Sequence, residues 1–181
     1  MFFFSRIKDF HEYGNDKNIE KALYSPVKRW QKGQKITVFL SHKHSELNFV
    51  NYLIGFLEKK YNVSVYIDSN DDGMPLYTCG ETAARIKRKI RNCRKFIFMA
   101  TEESIHSCWC NWEVGQGDAR KYRKHFAIFP ILINNDNYSG NEFLQIYPYI
   151  LPPENGKYNG DHRVFCPRTQ KEISLSEWFN I

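Results

Sequence analysis

The stretch Ile36-Thr37-Val38-Phe39-Leu40-Ser41-His42 decides how this chain is read. Between Ile36 and Leu40 the only polar member is Thr37, and a short run this apolar suits a strand covered on both faces, as in a parallel sheet. Ser41 marks the carboxyl end of that strand. The next segment is amphipathic: Ser45 has N-cap chemistry, and Leu47, Val50, Ile54 and Leu57 recur at helical spacing up to Lys60. Strand and helix together make the first βα unit.

The alternation repeats downstream. Residues 63–67 form a second strand, and Asp68-Ser69-Asn70-Asp71-Asp72-Gly73-Met74-Pro75 is a loop by its density of turn formers. Residues 81–92 are helical, with Ala83, Ile86 and Ile90 on one face, and lead into a third strand at 96–100. Glu102, Glu103 and Ser107 offer helix-start chemistry for a segment running to about Lys124. Its interior Gly115 and Gly117 each cost roughly 1 kcal/mol against Ala, which implies a close approach by something. A fourth strand at 126–133 contains Pro130, whose missing N–H conflicts with a fully central position. Asn134 to Asn137 is a turn cluster, 142–147 a short helix and 149–151 a fifth strand.

This pattern predicts an α/β domain over 35–150, built of βα units around a parallel sheet. Residues 1–34 read as a partly helical leader, with a turn at Gly14-Asn15-Asp16 and a breaker at Pro26. Residues 151–181 read as a short extension, in which 163–166 and 173–175 pair as a hairpin around Pro167-Arg168 and Trp178 covers one end of the domain.

With 181 residues, 42% hydrophobic, the chain can bury a substantial core, so disorder is not the default. The net charge of +6 favours an anionic partner or serves solvation alone. Five scattered cysteines, an odd number without zinc-type pairing, point to reduced thiols in a cytoplasmic protein. The opening apolar run is broken by Arg6 and Lys8, too early for an export signal or a membrane span. Residues 85–95 place seven basic side chains (Arg85, Lys87, Arg88, Lys89, Arg91, Arg94, Lys95) on one helix. Without interleaved aromatics for base stacking, they read as a solvated face or protein contact rather than a nucleic-acid surface.

In an open parallel sheet, ligands bind beyond the carboxyl ends of the strands, where the strand order reverses. Three segments of this chain converge there: Ser41-His42-Lys43-His44, the loop from Asp68 to Gly80, and Thr101 to Trp112. Trp109 and Glu113 are four residues apart, so they share a helix face, and the carboxylate can line a pocket walled by the indole. Taken alone, such a pair is more often a core-packed Trp beside a solvated Glu. His42-Lys43-His44 has His-x-His spacing, but no third ligand stands at matching spacing, so no metal is assigned. Gly115-x-Gly117 lies inside a helix and is no dinucleotide fingerprint.

Four segments in order resemble the Toll/interleukin-1 receptor (TIR) domain family. Residues 36–42 look like its first conserved box, and Val65-Tyr66-Ile67-Asp68 like its second strand with the terminal Asp. Ser107-Cys108-Trp109-Cys110-Asn111-Trp112-Glu113 resembles its Ser-x-Trp-Cys-x-x-Glu element, and residues 126–133 match its fourth strand with an internal Pro. The resemblance implies a flavodoxin-like fold, a doubly wound five-stranded parallel sheet, and, in enzymatic members, cleavage of the nicotinamide–ribose bond of NAD+, here a substrate and not a resident cofactor. Glu113 is then the catalytic residue, with Leu40, Ser41, His42, Lys43, Asp68, Asp71 and Trp109 binding NAD+. TIR-only bacterial chains of this size also resemble the signal-producing component of Thoeris antiphage defence, whose product is a cyclic or otherwise modified ADP-ribose. Sites completed by self-association of TIR domains are a further implication. The loop after Asp68 is longer than the family pattern, so its individual contacts do not transfer.

The chemistry suits a single carboxylate. Ordinary glycosidases need two because an alkoxide leaving group has to be protonated. Nicotinamide departs neutral from a cationic pyridinium, so what remains is to stabilise an oxocarbenium-like transition state beside a negative charge. Lys43 and His42 can meet the diphosphate, although Lys43 reads equally well as an exposed strand-end lysine, and Asp68 as a cap of its own turn. Two other classes stand beside this reading: a non-enzymatic TIR adaptor, and a nucleoside deoxyribosyltransferase-like enzyme whose carboxylate attacks as a nucleophile.

Overall fold

A computed structural model of the protein describes residues 4–14, 31, 33–70, 79–121, 124–133 and 142–181. Asp71 to Pro75 of the turn-rich loop, the Asn134–Asn137 cluster and Pro26 lie outside the described residues. With elements numbered in chain order, β2 (Thr37–Ser41) pairs in parallel with β3 (Ser64–Tyr66) on one side and β4 (Lys95–Ala100) on the other. Then β4 pairs with β5 (Phe126–Leu132) and β5 with β6 (Tyr149–Leu151), again in parallel. The order β3-β2-β4-β5-β6 is the flavodoxin-like doubly wound arrangement, with its reversal between β2 and β4.

Alternation along each strand divides the core between two faces. Val38, Leu40, Val65, Ile97, Met99 and Phe129 pack on one side against Val50, Leu53, Ile54 and Leu57 of α1 (Leu47–Tyr61). Phe39, Phe96, Phe98, Phe126 and Ile128 pack on the other. There they meet Ile86 and Ile90 of α2 (Gly80–Asn92), Ile105 of α3 (Glu102–Ile105), and Cys110 and Val114 of α4 (Cys108–Lys121). Each large apolar side chain fully withdrawn from water contributes roughly 1.5–3 kcal/mol, so this two-sided burial is the main force holding the layers together.

One contact sets the height of α4 over the sheet. Phe39, Phe96 and Phe126 form a near-parallel ladder across β2, β4 and β5, with ring centroids 5.5 and 4.9 Å apart. Gly117 lies on it: a Cβ there would meet Phe96 at 2.9 Å and Phe126 at 3.0 Å. Gly115 has nothing within 4 Å of an added Cβ, so the close approach expected of both glycines belongs to Gly117 alone. Glu113 is one turn before Gly117 on the same helix face, which carries its carboxyl toward the end of β2.

Several boundaries differ from the sequence expectation. The segment expected to be one helix from Glu102 to Lys124 is two, α3 and α4, because Ser107 turns the chain and its Oγ accepts the Cys110 N–H. Ser45 is not an N-cap; it lies in a 3-10 turn, His44–Glu46, ahead of α1, and its hydroxyl donates to Glu103. Pro130 is tolerated because it is the last β5 residue in register with β4 and lies past the β5–β6 pair at Ile128 and Tyr149. Lys95 belongs to β4, not to the basic helix, and is fully buried; its ammonium donates to the carbonyl oxygens of Trp178, Lys124 and Ile181.

Described residues before and after the parallel sheet are packed onto it. β1 (Ser5–Arg6) pairs in parallel with Ile131 and Leu132 at the end of β5, and a 3-10 segment, Ile7–Tyr13, sends Phe10 among Phe56, Phe129 and His162. At the other end, β7 (Arg163–Cys166) and β8 (Lys171–Ser174) form an antiparallel hairpin that continues the sheet beside β6. Leu175 is not part of that hairpin; a Ser174–Glu177 capping box starts α5 (Leu175–Asn180), which buries Trp178.

Candidate functional site

At the carboxyl end of β2, Ser41 is in the same alternation as Phe39 and faces α4. Its hydroxyl donates to Glu113 Oε2 at 2.5 Å. Glu113 is 1% exposed, and its Oε1 has no hydrogen-bond partner among the described residues. Buried polar atoms are rarely left in that condition. Burial, reinforced by the negative charge of Asp68, raises the Glu113 carboxyl well above the ordinary range, and the Ser41 bond only partly offsets this.

Beside it lies a second polar group. His42, also buried, donates from Nδ1 to the Leu40 carbonyl at 3.3 Å, which leaves the Nε2 lone pair to accept the Ser69 hydroxyl at 2.9 Å. Burial lowers its pKa, so the ring is neutral. His44 is exposed, and its Nε2 stands 3.3 Å from Asp68 Oδ2. That hydrogen bond raises the His44 pKa; for Asp68 the same bond and the two imidazoles outweigh burial and hold the carboxyl below its usual value. Asp68 brings the third donor atom that His-x-His spacing lacked: one donor atom from each of His42, His44 and Asp68 falls within 4.8 Å of the others.

The other expected contacts are distributed differently. Lys43 pairs with Glu103 at 2.9 Å. Leu40 is fully buried in the core, so only its backbone faces the site. Trp109 is half-buried and stacks on Trp112, with ring centroids 4.8 Å apart, rather than standing alone as a pocket wall. Asp71 lies outside the described residues. Sequence reasoning missed Glu46, a buried carboxyl that accepts the Thr101 hydroxyl at 2.6 Å and whose pKa burial raises. It also missed Ser69 and Glu103 as partners. None of these stands in a periodic pattern; only proximity across the sheet edge reveals them.

A doubly wound parallel sheet with a buried glutamate at its switch point is the frame of a TIR domain, and the chain belongs to that family: the TIR domain model matches residues 38–151. The chain is also similar to a protein of Bacillus cereus (strain MSX-D12) described as probable 3' cyclic ADP-D-ribose synthase ThsB'. They are 28% identical over 155 residues, spanning 81% of this chain and 77% of the relative.

Proposed function

We propose that the chain is an NAD+ nucleosidase of the TIR type, with Glu113 as its catalytic carboxylate. The observation that carries this reading is the Glu113 carboxyl itself, buried, held on one oxygen by Ser41 and unclaimed on the other. In the proposed reaction the ribose C1–N bond breaks and its electron pair goes to the pyridinium nitrogen, so nicotinamide leaves neutral without a general acid. Glu113 receives a ribose hydroxyl on Oε1 and places negative charge beside the developing cation. The bound pyridinium favours the ionised form of Glu113, which links substrate binding to loss of the carboxyl proton.

Water captures the ribosyl cation and gives its proton to the Glu113 carboxylate, yielding ADP-ribose, or a hydroxyl of the same molecule does so and yields a cyclic product. The likeness to a cyclic ADP-ribose synthase supports the cyclic outcome, a signal in bacterial antiphage defence of the Thoeris kind. Ser41 positions Glu113, while His42, Asp68, the Leu40 backbone, Lys43, Asp71 and Trp109 contribute to NAD+ binding. Because Glu113 is buried, the ribose reaches it only when the surrounding loops part; assembly of TIR domains with one another in the cytoplasm is the event proposed to part them. Incubating the protein with NAD+ and identifying products by mass, beside Glu113→Gln, tests the reading. Nicotinamide release that persists in the variant sinks it.

A further inference from the structure

We infer that His42, His44 and Asp68 form a binding site for a divalent transition-metal ion of the zinc class. The geometry is the first reason. Bonds of about 2.0–2.1 Å to a tetrahedral ion place neighbouring ligand atoms ~3.3–3.4 Å apart. His44 Nε2 and Asp68 Oδ2 already stand 3.3 Å apart, and all three donor atoms lie within 4.8 Å. Closing the widest gap takes at most about 1.4 Å of movement, within reach of a rotamer adjustment at the exposed His44.

The tautomer is the second reason. The Leu40 carbonyl can only accept, so His42 carries its proton on Nδ1 and presents the Nε2 lone pair, with the second ring nitrogen anchored to backbone as in most metal-bound imidazoles. An incoming ion takes that lone pair in place of the Ser69 hydroxyl. Two imidazoles and one carboxylate select zinc-like ions over magnesium or calcium, which prefer oxygen donors. The buried His42 gives a fixed floor, the exposed His44 an entry side, and the fourth position stays open.

The ion would tie the segment after β2 to the turn after β3, Asp68–Asn70, beside Glu113. Ion binding is read without NAD+, so this site stands or falls separately from the proposed nucleosidase reaction.

The test is calorimetric titration of the chelator-treated full chain with Zn2+, together with the absorption spectrum of the protein loaded with Co2+. One ion should bind per chain, with ligand-field bands of low coordination number and no thiolate charge transfer. His44→Ala, which removes an exposed side chain, and the isosteric Asp68→Asn should each weaken binding by at least ~10-fold. Unchanged affinity in His44→Ala, thiolate charge-transfer bands that mark cysteines as the ligands, or no saturable uptake would overturn the assignment.

Discussion

Ser41 and Glu113, 72 positions apart in the chain, are joined by a hydrogen bond of 2.5 Å from the serine hydroxyl to Glu113 Oε2. The bond fixes which carboxyl oxygen is occupied and which is left for a ligand. If it positions the carboxylate, Ser41→Ala lowers nicotinamide release by about one order of magnitude, whereas Glu113→Gln lowers it by at least ~100-fold. Equal, small effects in the two variants would show that neither residue is at the reacting centre.

The ionisation of Glu113 gives this site a pH signature. Burial and Asp68 raise its pKa while Ser41 lowers it, and the ionised form is the one proposed to act. The ratio kcat/KM should therefore rise with pH through an inflection above the ordinary carboxylate range. Ser41→Ala removes the lowering influence and should move the inflection up, and Asp68→Asn removes a like charge and should move it down. A pH–rate profile of the three proteins checks both signs.

Gly115 and Gly117 separate helix propensity from packing within one turn. At Gly115 an added methyl meets nothing, so Gly115→Ala should stabilise by up to about 1 kcal/mol. At Gly117 it would press into Phe96 and Phe126, and Gly117→Ala should destabilise by about 1–3 kcal/mol, lifting Glu113 from Ser41 as well. Urea unfolding midpoints of the two variants are expected on opposite sides of the parent.

His162 should make the fold acid-sensitive. It is buried among Phe10, Phe56 and Phe129, and burial, first, and Lys60, second, depress its pKa from 6.5 to about 4. The unfolded chain takes up this proton near 6.5 and the folded one only near 4. Stability therefore falls as pH drops between those values, by up to about 3 kcal/mol, and levels off below. His162→Leu should flatten this part of the stability–pH curve; an unchanged difference between pH 7 and pH 4 would refute the assignment.

The parallel sheet and its two-faced core were legible because an apolar run between polar loops has few places to go but a sheet covered on both sides. The place of Glu113 near the carboxyl end of β2 was legible through its spacing from Trp109 and its resemblance to the family element, although Trp109 itself stacks on Trp112. What escaped was set by pairing at a distance. Lys95 looked like one more helix cation because nothing nearby in sequence shows that carbonyls of Trp178 and Ile181 will enclose it. Asp68 and His44 are separated by a whole βα crossover, so their encounter is visible only once β2 and β3 are side by side. The hairpin at 163–174 was readable as a pair, but its place on the sheet depended on an open edge at β6.

The pairing of β1 with the far end of β5 also bears on how the protein is made. Ser5 and Arg6 are synthesised well before their partners Ile131 and Leu132, and before His162, which packs on Phe10. Until then Ile7 and Phe10 have no core to enter, and such long-range closure is slow. The segment from Ser5 to Phe10 thus stays sticky and unsheltered until the β5 region has been synthesised, and holdase binding there should persist until then.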